Sequence, residues 1–278
     1  MLDFRNIQLH ALVGRLLQVI AQRIDCDWVD RTALTVSGDA IGQRGLKAEL
    51  GLREKHGLFD REFSSTPGNF SARDAVTVLS QMLPANGVVT CDAGENRLYM
   101  LKDFQSKRGG TVLQPNGGGG MGYAVPAAAS VAFDFPGRPS VAVCGDGGMA
   151  MTLHGLITAV ELGLKMTVVV LDNQILGWVY HGQKNRIIAS EFSDFDYAAI
   201  ATAIGCQAAS AEDVDSFRTA LRSALAYEGV SVVVARTSRD ERAPGWTPAQ
   251  DAPSGTRCYN PRAALSVTSF PDLSRIFT

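Results

Sequence analysis

The chain has 278 residues, of which 46% are hydrophobic and 19% charged, so it is large enough for one sizeable globular core and a smaller segment. Its 26 lysines and arginines nearly balance 28 aspartates and glutamates, and no basic run suggests a nucleic-acid footprint. No apolar run reaches the length of a membrane span and no signal peptide is recognisable, so we expect no nucleic-acid or membrane partner and a cytoplasmic location.

The first 67 residues are predicted to form a small segment rather than a domain. Apolar side chains recur at helical spacing from residue 9 to residue 24, and turn-forming and charged residues dominate from there to about residue 67. Residues 244–278 contain prolines and no periodicity, which indicates an extended arm. We therefore divide the chain into an N-terminal helical segment (1–67), a main domain (68–243) and a C-terminal arm (244–278).

Helices and strands are predicted to alternate through the main domain. The first helix should begin at Ser71, where Ser-Ala-Arg-Asp is a variant of the capping box, and end before Pro84. The other expected elements outside the central motif are strands at 88–91, 111–113 and 230–235, a turn at 92–96, and helices at 197–204 and 214–227. This alternation predicts an α/β fold with a doubly wound, mostly parallel sheet and helices on both faces.

A glycine-rich run lies between the second strand and an alanine-rich helix. Gly117, Gly119 and Gly122 fit the G-x-G-x-x-G pattern of dinucleotide-binding folds, and Asp146 follows at about the distance expected for a ribose-binding acid. A dinucleotide site is therefore one interpretation of this region. The dinucleotide interpretation gives no role to Asn173, the polar residue that follows the next strand.

Residues 140–179 carry the strongest chemical signal. They are predicted to form a strand (141–144), a Gly-Asp-Gly turn, a helix and a second strand (167–171), a unit whose strands end at the same edge of a parallel sheet. Asp146 follows the first strand and Asn173 the second, so we expect their side chains to lie together where such sheets bind ligands. One carboxylate and one amide oxygen suit Mg²⁺ that is also bound by phosphate oxygens, and Gly147 and Gly148 allow backbone N–H groups to approach a diphosphate.

This spacing resembles a known motif. Gly-Asp-Gly at 145–147 followed by Asp172-Asn173 is similar to the diphosphate-binding motif of thiamine diphosphate enzymes, which begins with GDG and ends in an Asn pair. The segments VVVLDNQILGWV and MGYAVPAAAS resemble the acetolactate synthase branch, and the resemblance covers roughly residues 71–236. It implies thiamine diphosphate and Mg²⁺ as cofactors, with the side chains of Asp146 and Asn173 and the backbone carbonyl of Ile175 as metal ligands.

The resemblance also implies the remaining contacts. The carbonyl of Gly119 would bind the amino group of the cofactor's pyrimidine, and Met121 would lie between its two rings, so both are candidate catalytic residues. The family turn that corresponds to 92–95 reads DVGQ, and the carboxylate of Glu95 would repel a diphosphate unless it hydrogen-bonds elsewhere or faces the substrate. The other expected cofactor contacts are Ala93, Gly94, Glu95, Asn96, Gly145, Gly147, Gly148, Leu176 and Gly177.

The stretch after Gly177 departs from the acetolactate synthases. In those enzymes this stretch lies over the cofactor, and they have a Trp where this chain has Gly182. His181 is a candidate catalytic acid or base near the reacting carbon, and the alternative is a solvated loop histidine.

In this family a glutamate that activates the pyrimidine comes from a separate pyrimidine-binding domain. Only about seventy residues precede the motif-bearing domain here; they resemble the end of a central domain, and none resembles a pyrimidine-binding domain. The resemblance therefore implies the diphosphate-binding half of a split enzyme. We expect a hetero-oligomer with two copies of each chain, in which a pyrimidine-domain subunit supplies the glutamate.

The expected reaction is decarboxylation of a small 2-oxo acid, with pyruvate as the first candidate, and ligation of the acyl carbanion to an acceptor carbonyl. Two alternatives stay open. One is a subunit of a simple 2-oxo acid decarboxylase that releases an aldehyde. The other is a non-catalytic regulatory homologue that keeps the fold.

Overall fold

The computed structural model describes residues 63–243, except 67, 117, 184 and 185. The predicted C-terminal arm and nearly all of the N-terminal segment lie outside these residues, so the three-part division of the chain stays a prediction. Within the described residues, no helix has the length and apolar character that crossing a bilayer requires.

Six strands of the described residues form one parallel sheet, in the order β2-β1-β3-β4-β6-β5. They are β1 (Val88–Cys91), β2 (Val112–Leu113), β3 (Ser140–Gly145), β4 (Met166–Asp172), β5 (Gln207–Ala211) and β6 (Val230–Arg236). The central strands are runs of buried valines, as expected where helices cover both faces of a parallel sheet. The predicted fold class is confirmed, and the strand order differs from the 3-2-1-4-5-6 order of the dinucleotide-binding fold.

Helices cover the sheet on both sides. They are α1 (Ala72–Met82), α2 (Glu95–Asp103), α3 (Ala124–Asp134), α4 (Asp146–Glu161), α5 (Gly177–Gly182), α6 (Tyr197–Ile204) and α7 (Val214–Ala226). One core lies under α1, α2 and α7 around Leu79 and Phe217, and the other lies under α3, α4 and α6 around Met149 and Leu156. Each such fully buried side chain contributes roughly 1.5–3 kcal/mol relative to exposure, so both cores anchor the loops at the sheet edge.

The strand order creates a crevice at the carboxyl edge of the sheet. The chain leaves β1 for β2 on one side of the sheet, whereas β3 and β4 lie on the other side of β1. The helices that follow β1 and β3 are α2 and α4, and they pack on opposite faces of the sheet. The two junctions between strand and helix therefore diverge. Such switch points are where parallel α/β sheets bind ligands.

The start of α1 corrects one prediction. The hydroxyl of Ser71 donates to Glu241, and Glu241 also accepts from the backbone N–H of Ala72 (both 2.7 Å). Asp74, the expected second member of a capping box, instead accepts from the hydroxyl and N–H of Ser65. The helix is thus capped by the segment that follows β6, a tertiary contact that the local sequence does not reveal.

Candidate functional site

A cleft with about 580 Å³ of empty space, part of it open to solvent, lies at the carboxyl edge between the loops that follow β1, β3 and β4. Its wall contains nearly all of the predicted site residues. These are Ala93, Gly94, Glu95, Asn96, Met121, Gly145, Asp146, Gly147, Gly148, Asn173, Ile175, Leu176 and Gly177. The structure therefore brings together every predicted site residue except Gly119 and His181.

Asp146 is the first residue of α4 and is buried. Its Oδ1 accepts the N–H of Gly147 at 2.6 Å, whereas its Oδ2 has no hydrogen-bond partner among the described residues. Burial raises the pKa of this carboxyl to about 7, and the neighbouring carboxylate of Asp172 adds to the rise. A buried polar atom without a partner costs about 1–3 kcal/mol, and more when it is charged, so this oxygen is suited to bind a cation.

Asn173 lies beside Asp146 because β3 and β4 are paired in parallel, with Gly145 opposite Leu171. The side-chain oxygen of Asn173 accepts the N–H of Ile175 at 3.3 Å and folds the turn that carries the Ile175 carbonyl. The last residue of β4, Asp172, is not free to bind a cation, because it forms an ion pair with Arg236 at 2.6 Å.

The oxygen donors at this edge fit a magnesium ion shared with a phosphate ligand. Among the described residues, no cluster of three or more His, Cys, Asp or Glu side chains could hold a metal ion. A cation at Asp146 would therefore draw its other ligands from amide, backbone and ligand oxygens. Mg²⁺ commonly binds in this way, through one or two carboxylates together with phosphates and waters.

Asp92, which the sequence predicts only as part of a turn, is a structural residue of the site. Its carboxylate accepts the N–H groups of Gly122 (2.9 Å) and Tyr123 (2.8 Å), and so ties the glycine-rich loop and the start of α3 to the end of β1. A Cβ on Gly148 would lie 2.2 Å from Asp92 Oδ2. Gly148 thus allows the first turn of α4 to pack closely against Asp92, whatever it offers to a ligand.

We expect Gly148→Ala to destabilise the chain by about 1–3 kcal/mol, because the added methyl group must displace a carboxylate held by two N–H groups. Chemical denaturation measures the loss. Gly137→Ala is the matched control, because a Cβ at Gly137 meets no atom within 4 Å. Equal stability of Gly148→Ala and wild type would contradict the prediction.

Glu95 and His181 form a buried pair at one side of the cleft. The Nδ1 atom of His181 lies 2.7 Å from Glu95 Oε1, and its Nε2 atom lies 3.1 Å from the backbone carbonyl oxygen of Arg239. The Oε2 atom of Glu95 has no hydrogen-bond partner among the described residues and packs against Gly177. Burial raises the pKa of Glu95, and the contact with His181 opposes the rise.

This geometry changes the interpretation of both residues. His181 is buried and does not line the cleft, so the solvated loop histidine is wrong, and a direct catalytic role for His181 has no support from its position. Glu95 lines the cleft and hydrogen-bonds to another side chain, one of the conditions under which its carboxylate was expected to tolerate a diphosphate.

The remaining predicted residues lie on the loops around the cleft. Gly119 has a φ of +59°, in the left-handed region that favours glycine, and lies outside the cleft wall. Met121 is on the wall, and its Cε is 2.9 Å from the position that a Cβ on Gly147 would occupy. Trp178 and Val179 of α5 also line the cleft and are about half exposed; they belong to the stretch that the resemblance places over the cofactor.

A family model described as "Thiamine pyrophosphate enzyme, C-terminal TPP binding domain" matches residues 92–235, more than half of the chain and all of the predicted site. The chain belongs to this family. Its membership, together with the strand order, leaves the dinucleotide interpretation without support.

The proteins similar to this chain include enzymes of the acetolactate synthase branch. The chain is 27% identical over 189 residues to YdaP of Bacillus subtilis (strain 168), named as a thiamine pyrophosphate-containing protein, a match over 67% of this chain and 33% of YdaP. It is 27% identical over 249 residues to the acetolactate synthase of the same organism, a match over 83% of this chain and 43% of that enzyme. It is also 28% identical over 162 residues to AruI of Pseudomonas aeruginosa, named as a 2-ketoarginine decarboxylase, a match over 57% of this chain and 29% of AruI.

A solved structure shows the same fold. The X-ray structure of a Mycobacterium smegmatis protein described as a thiamin diphosphate-dependent enzyme matches with a TM-score of 0.52 and 25% identity, over 61% of this chain and 32% of that one. The chain thus spans about a third to two fifths of the length of these relatives. The predicted membership of the acetolactate synthase-like branch of thiamine diphosphate enzymes is confirmed.

Proposed function

We propose that this chain is the diphosphate-binding subunit of a two-chain thiamine diphosphate enzyme. The enzyme decarboxylates a 2-oxo acid, with pyruvate as the first candidate, and ligates the acyl group to an acceptor carbonyl. The observation that carries the proposal is the buried Oδ2 of Asp146, which lies beside Asn173 at the sheet edge and has no hydrogen-bond partner in the described part of the chain. An oxygen in that position fits a magnesium ion that anchors a diphosphate.

The residues present suit each part of the cofactor. Asp146, Asn173 and the carbonyl of Ile175 would hold Mg²⁺. The N–H of Gly148 at the start of α4 would donate to the diphosphate, whereas the N–H of Gly147 donates to Asp146 Oδ1. Gly119 and Met121 would contact the rings. When bound, thiamine diphosphate supplies the thiazolium that accommodates the negative charge left as CO₂ departs. Trp178 and Val179, half exposed on the cleft wall, would exclude water and shape the acceptor pocket.

The pyrimidine end of the cofactor needs a further carboxylate. Among the described residues that line the cleft, the carboxylates are Asp146 and Glu95. Asp146 is assigned to the metal and Glu95 is bonded to His181, so neither is available to the pyrimidine. We therefore assign the activating glutamate to a pyrimidine-domain subunit within a hetero-oligomer. The matched family model describes a C-terminal TPP binding domain, which supports placing the activating glutamate outside the residues that it matches.

Simple decarboxylation is the second candidate, because one relative is named as a 2-ketoarginine decarboxylase. A non-catalytic homologue is the less favoured candidate. A protein that only keeps the fold would not need the unpartnered Asp146 oxygen, the Asn173 turn and Met121 together on one cleft wall.

Reconstitution tests the proposal. We expect no CO₂ release from pyruvate when the chain is supplied with Mg²⁺ and thiamine diphosphate alone, and turnover when a polypeptide carrying a pyrimidine domain, encoded next to this chain, is added. The product then separates the candidates, since ligation gives a hydroxy ketone and simple decarboxylation an aldehyde. Robust turnover by the isolated chain would overturn the two-chain assignment. Cofactor binding without turnover in the complex would favour the non-catalytic homologue.

A further inference from the structure

The hydrogen bonds of His181 determine where the protons of the Glu95–His181 pair lie. The carbonyl oxygen of Arg239 can only accept, so the Nε2 atom that faces it must carry the hydrogen. Nδ1 then faces Glu95 Oε1 at 2.7 Å. If Nδ1 is bare, Glu95 must be protonated to donate to it; if Nδ1 is protonated, it donates to the Glu95 carboxylate. Both arrangements place one proton between the two side chains and leave the pair with no net charge.

We propose that Glu95 and His181 share this proton and that it neutralises the carboxylate beside the bound diphosphate. His181 is then a positioning residue that acts through Glu95, since it lies behind the cleft wall while Glu95 lines it. The identity of the anion rests on the proposed function. The shared proton rests on the geometry of the three residues alone.

The charge of the cleft wall explains why an anionic ligand needs this proton. The ionisable side chains on the wall are the carboxylates Asp146 and Glu95 and the phenol Tyr99, and no lysine or arginine belongs to the part of the wall that the structure describes. A diphosphate would therefore meet two negative charges. Mg²⁺ offsets the charge of Asp146, and the proton shared with His181 removes that of Glu95. Burial raises the pKa of Glu95, which agrees with a carboxyl group that resists carrying an isolated charge.

Charged groups from the neighbouring elements do not take over this role. On α2, Tyr99 stays uncharged because burial raises the pKa of its hydroxyl far above neutrality. In the segment after β6, Glu241 accepts hydrogen bonds from the start of α1, and Arg242 lies exposed, where its charge lowers the pKa of Glu95.

The nearest cation on α1 is already paired. Arg73 donates to both carboxylate oxygens of Asp103, at 2.6 and 2.7 Å.

Asp146 also lies on the cleft, and saturating Mg²⁺ would keep it ionised, so it would add no titration of its own when the metal is bound. Among the described residues, His181 is therefore the group that can supply a proton to Glu95.

Loss of the shared proton has a defined consequence. The Glu95 carboxylate would face either a bare Nδ1 or a ring whose Nε2 no longer donates to Arg239, and both arrangements set two acceptors against each other. The cleft would also gain one negative charge. Affinity for the diphosphate should therefore be high while the proton is present and should fall as pH rises through its loss.

The first test observes the proton without any cofactor. In the full-length chain with ¹⁵N-labelled histidine, we expect His181 to show a protonated Nε2 and an Nδ1 proton shared with Glu95. In Glu95→Gln the amide donates to a bare Nδ1, so the shared-proton signal should vanish. His154→Gln, a change on the exposed side of α4, assigns the spectrum and should leave that signal intact. A wild-type His181 with a hydrogen on Nδ1 and a bare Nε2, or a signal unchanged in Glu95→Gln, would overturn the inference.

The second test measures affinity against pH. At saturating Mg²⁺, calorimetric titration of thiamine diphosphate into the wild-type complex should show a loss on the order of tenfold as the proton is removed, the scale of one added unit charge nearby. Glu95→Gln should lack this loss and show only the pH dependence that comes from the diphosphate itself, and His154→Gln should follow the wild type. If the Glu95–His181 pair had only a structural role, Glu95→Gln would lower the affinity for thiamine diphosphate by the same factor at every pH. Parallel pH profiles for wild type and Glu95→Gln would overturn the inference.

The two tests separate this inference from the proposed function. One outcome is that the nuclear magnetic resonance experiment finds the shared proton while the wild-type complex binds no thiamine diphosphate at any pH. In that case the proposed cofactor is refuted and the shared proton is confirmed. If Glu95→Gln does not fold, the wild-type data still decide. The affinity must fall over the pH range in which the shared-proton signal disappears, and separate ranges would refute the link.

Discussion

Replacing Asp146 by alanine should abolish retention of thiamine diphosphate in the assembled enzyme. The substitution removes the carboxylate proposed to bind the metal, whose Oδ2 has no hydrogen-bond partner among the described residues, and would leave the diphosphate facing an incompletely bound Mg²⁺. We expect the affinity to fall by about a hundredfold or more, since loss of a direct ligand should exceed the effect of losing an outer contact. Calorimetric titration of thiamine diphosphate at fixed Mg²⁺ measures the change.

Two further variants make this experiment specific. Asn173→Ala should weaken binding less than Asp146→Ala, because water can replace a neutral oxygen ligand. Asp134→Ala, which changes an exposed carboxylate at the far end of α3, should bind as the wild type does. The metal-free Asp146→Ala chain should be about as stable as the wild type, because it loses a buried carboxyl group whose Oδ2 has no hydrogen-bond partner among the described residues. Equal affinities for wild type and Asp146→Ala would show that this edge is not the metal site.

The central strands could be predicted because their sequences reflect burial on both faces. The strand predicted at 88–91 coincides with β1, and those predicted at 141–144 and 230–235 differ from β3 and β6 by at most one residue at each end. A parallel unit with one intervening helix then leaves little freedom in register. This is why Asp146 and Asn173 could be placed at one edge of the sheet from sequence alone.

The elements that were not predicted depend on tertiary contacts. Strand β5 contains only Gln, Ala and Ser, has no β-branched residue and is half exposed, so it forms because β6 offers an edge to pair with. Helix α2 begins with a polar run that was predicted as a turn; Gly94, with a φ of +124°, allows the chain to leave β1 and enter the helix at once. The short α5 is similarly a product of the loop that follows β4.

The hydrogen bonds within the site were harder to predict than the residues that form it. Glu95 and His181 are each recognisable as candidates in the sequence, but these residues are 86 positions apart, and the carbonyl of Arg239 lies a further 58 positions along the chain. Local pattern carries no information about such a pair. Likewise, Asp92 reaches Gly122 across 30 positions. The residues proposed to contact the metal and the phosphates follow strand ends and can be found in the sequence. The hydrogen bonds around Glu95 and Asp92 depend on the folded chain.

Shortening Met121 should separate binding from reaction. Met121→Ala leaves Asp146, Asn173 and the start of α4 unchanged, so we expect thiamine diphosphate to bind to the complex within a few-fold of wild type. The terminal methyl group of Met121 lies over Gly147, on the wall where the cofactor rings are assigned. Its loss should let the two rings relax, and a shift of about 1 Å between reacting groups can cost on the order of a hundredfold in rate. The measurement pairs cofactor affinity with exchange of the thiazolium C2 proton, in the presence of the partner subunit.

Two controls distinguish a positioning role for Met121 from simple gap filling. Met121→Leu keeps most of the bulk and should retain most of the exchange rate, and Met151→Ala, on an exposed side chain of α4, should change nothing. If Met121 only fills space in the fold, Met121→Ala should instead lower the stability of the cofactor-free chain while the bound cofactor exchanges normally. Met121 is only partly buried, so its truncation should cost little stability. Normal exchange in Met121→Ala would therefore remove this residue from the mechanism, whereas slow exchange with intact affinity and stability would place it against the rings.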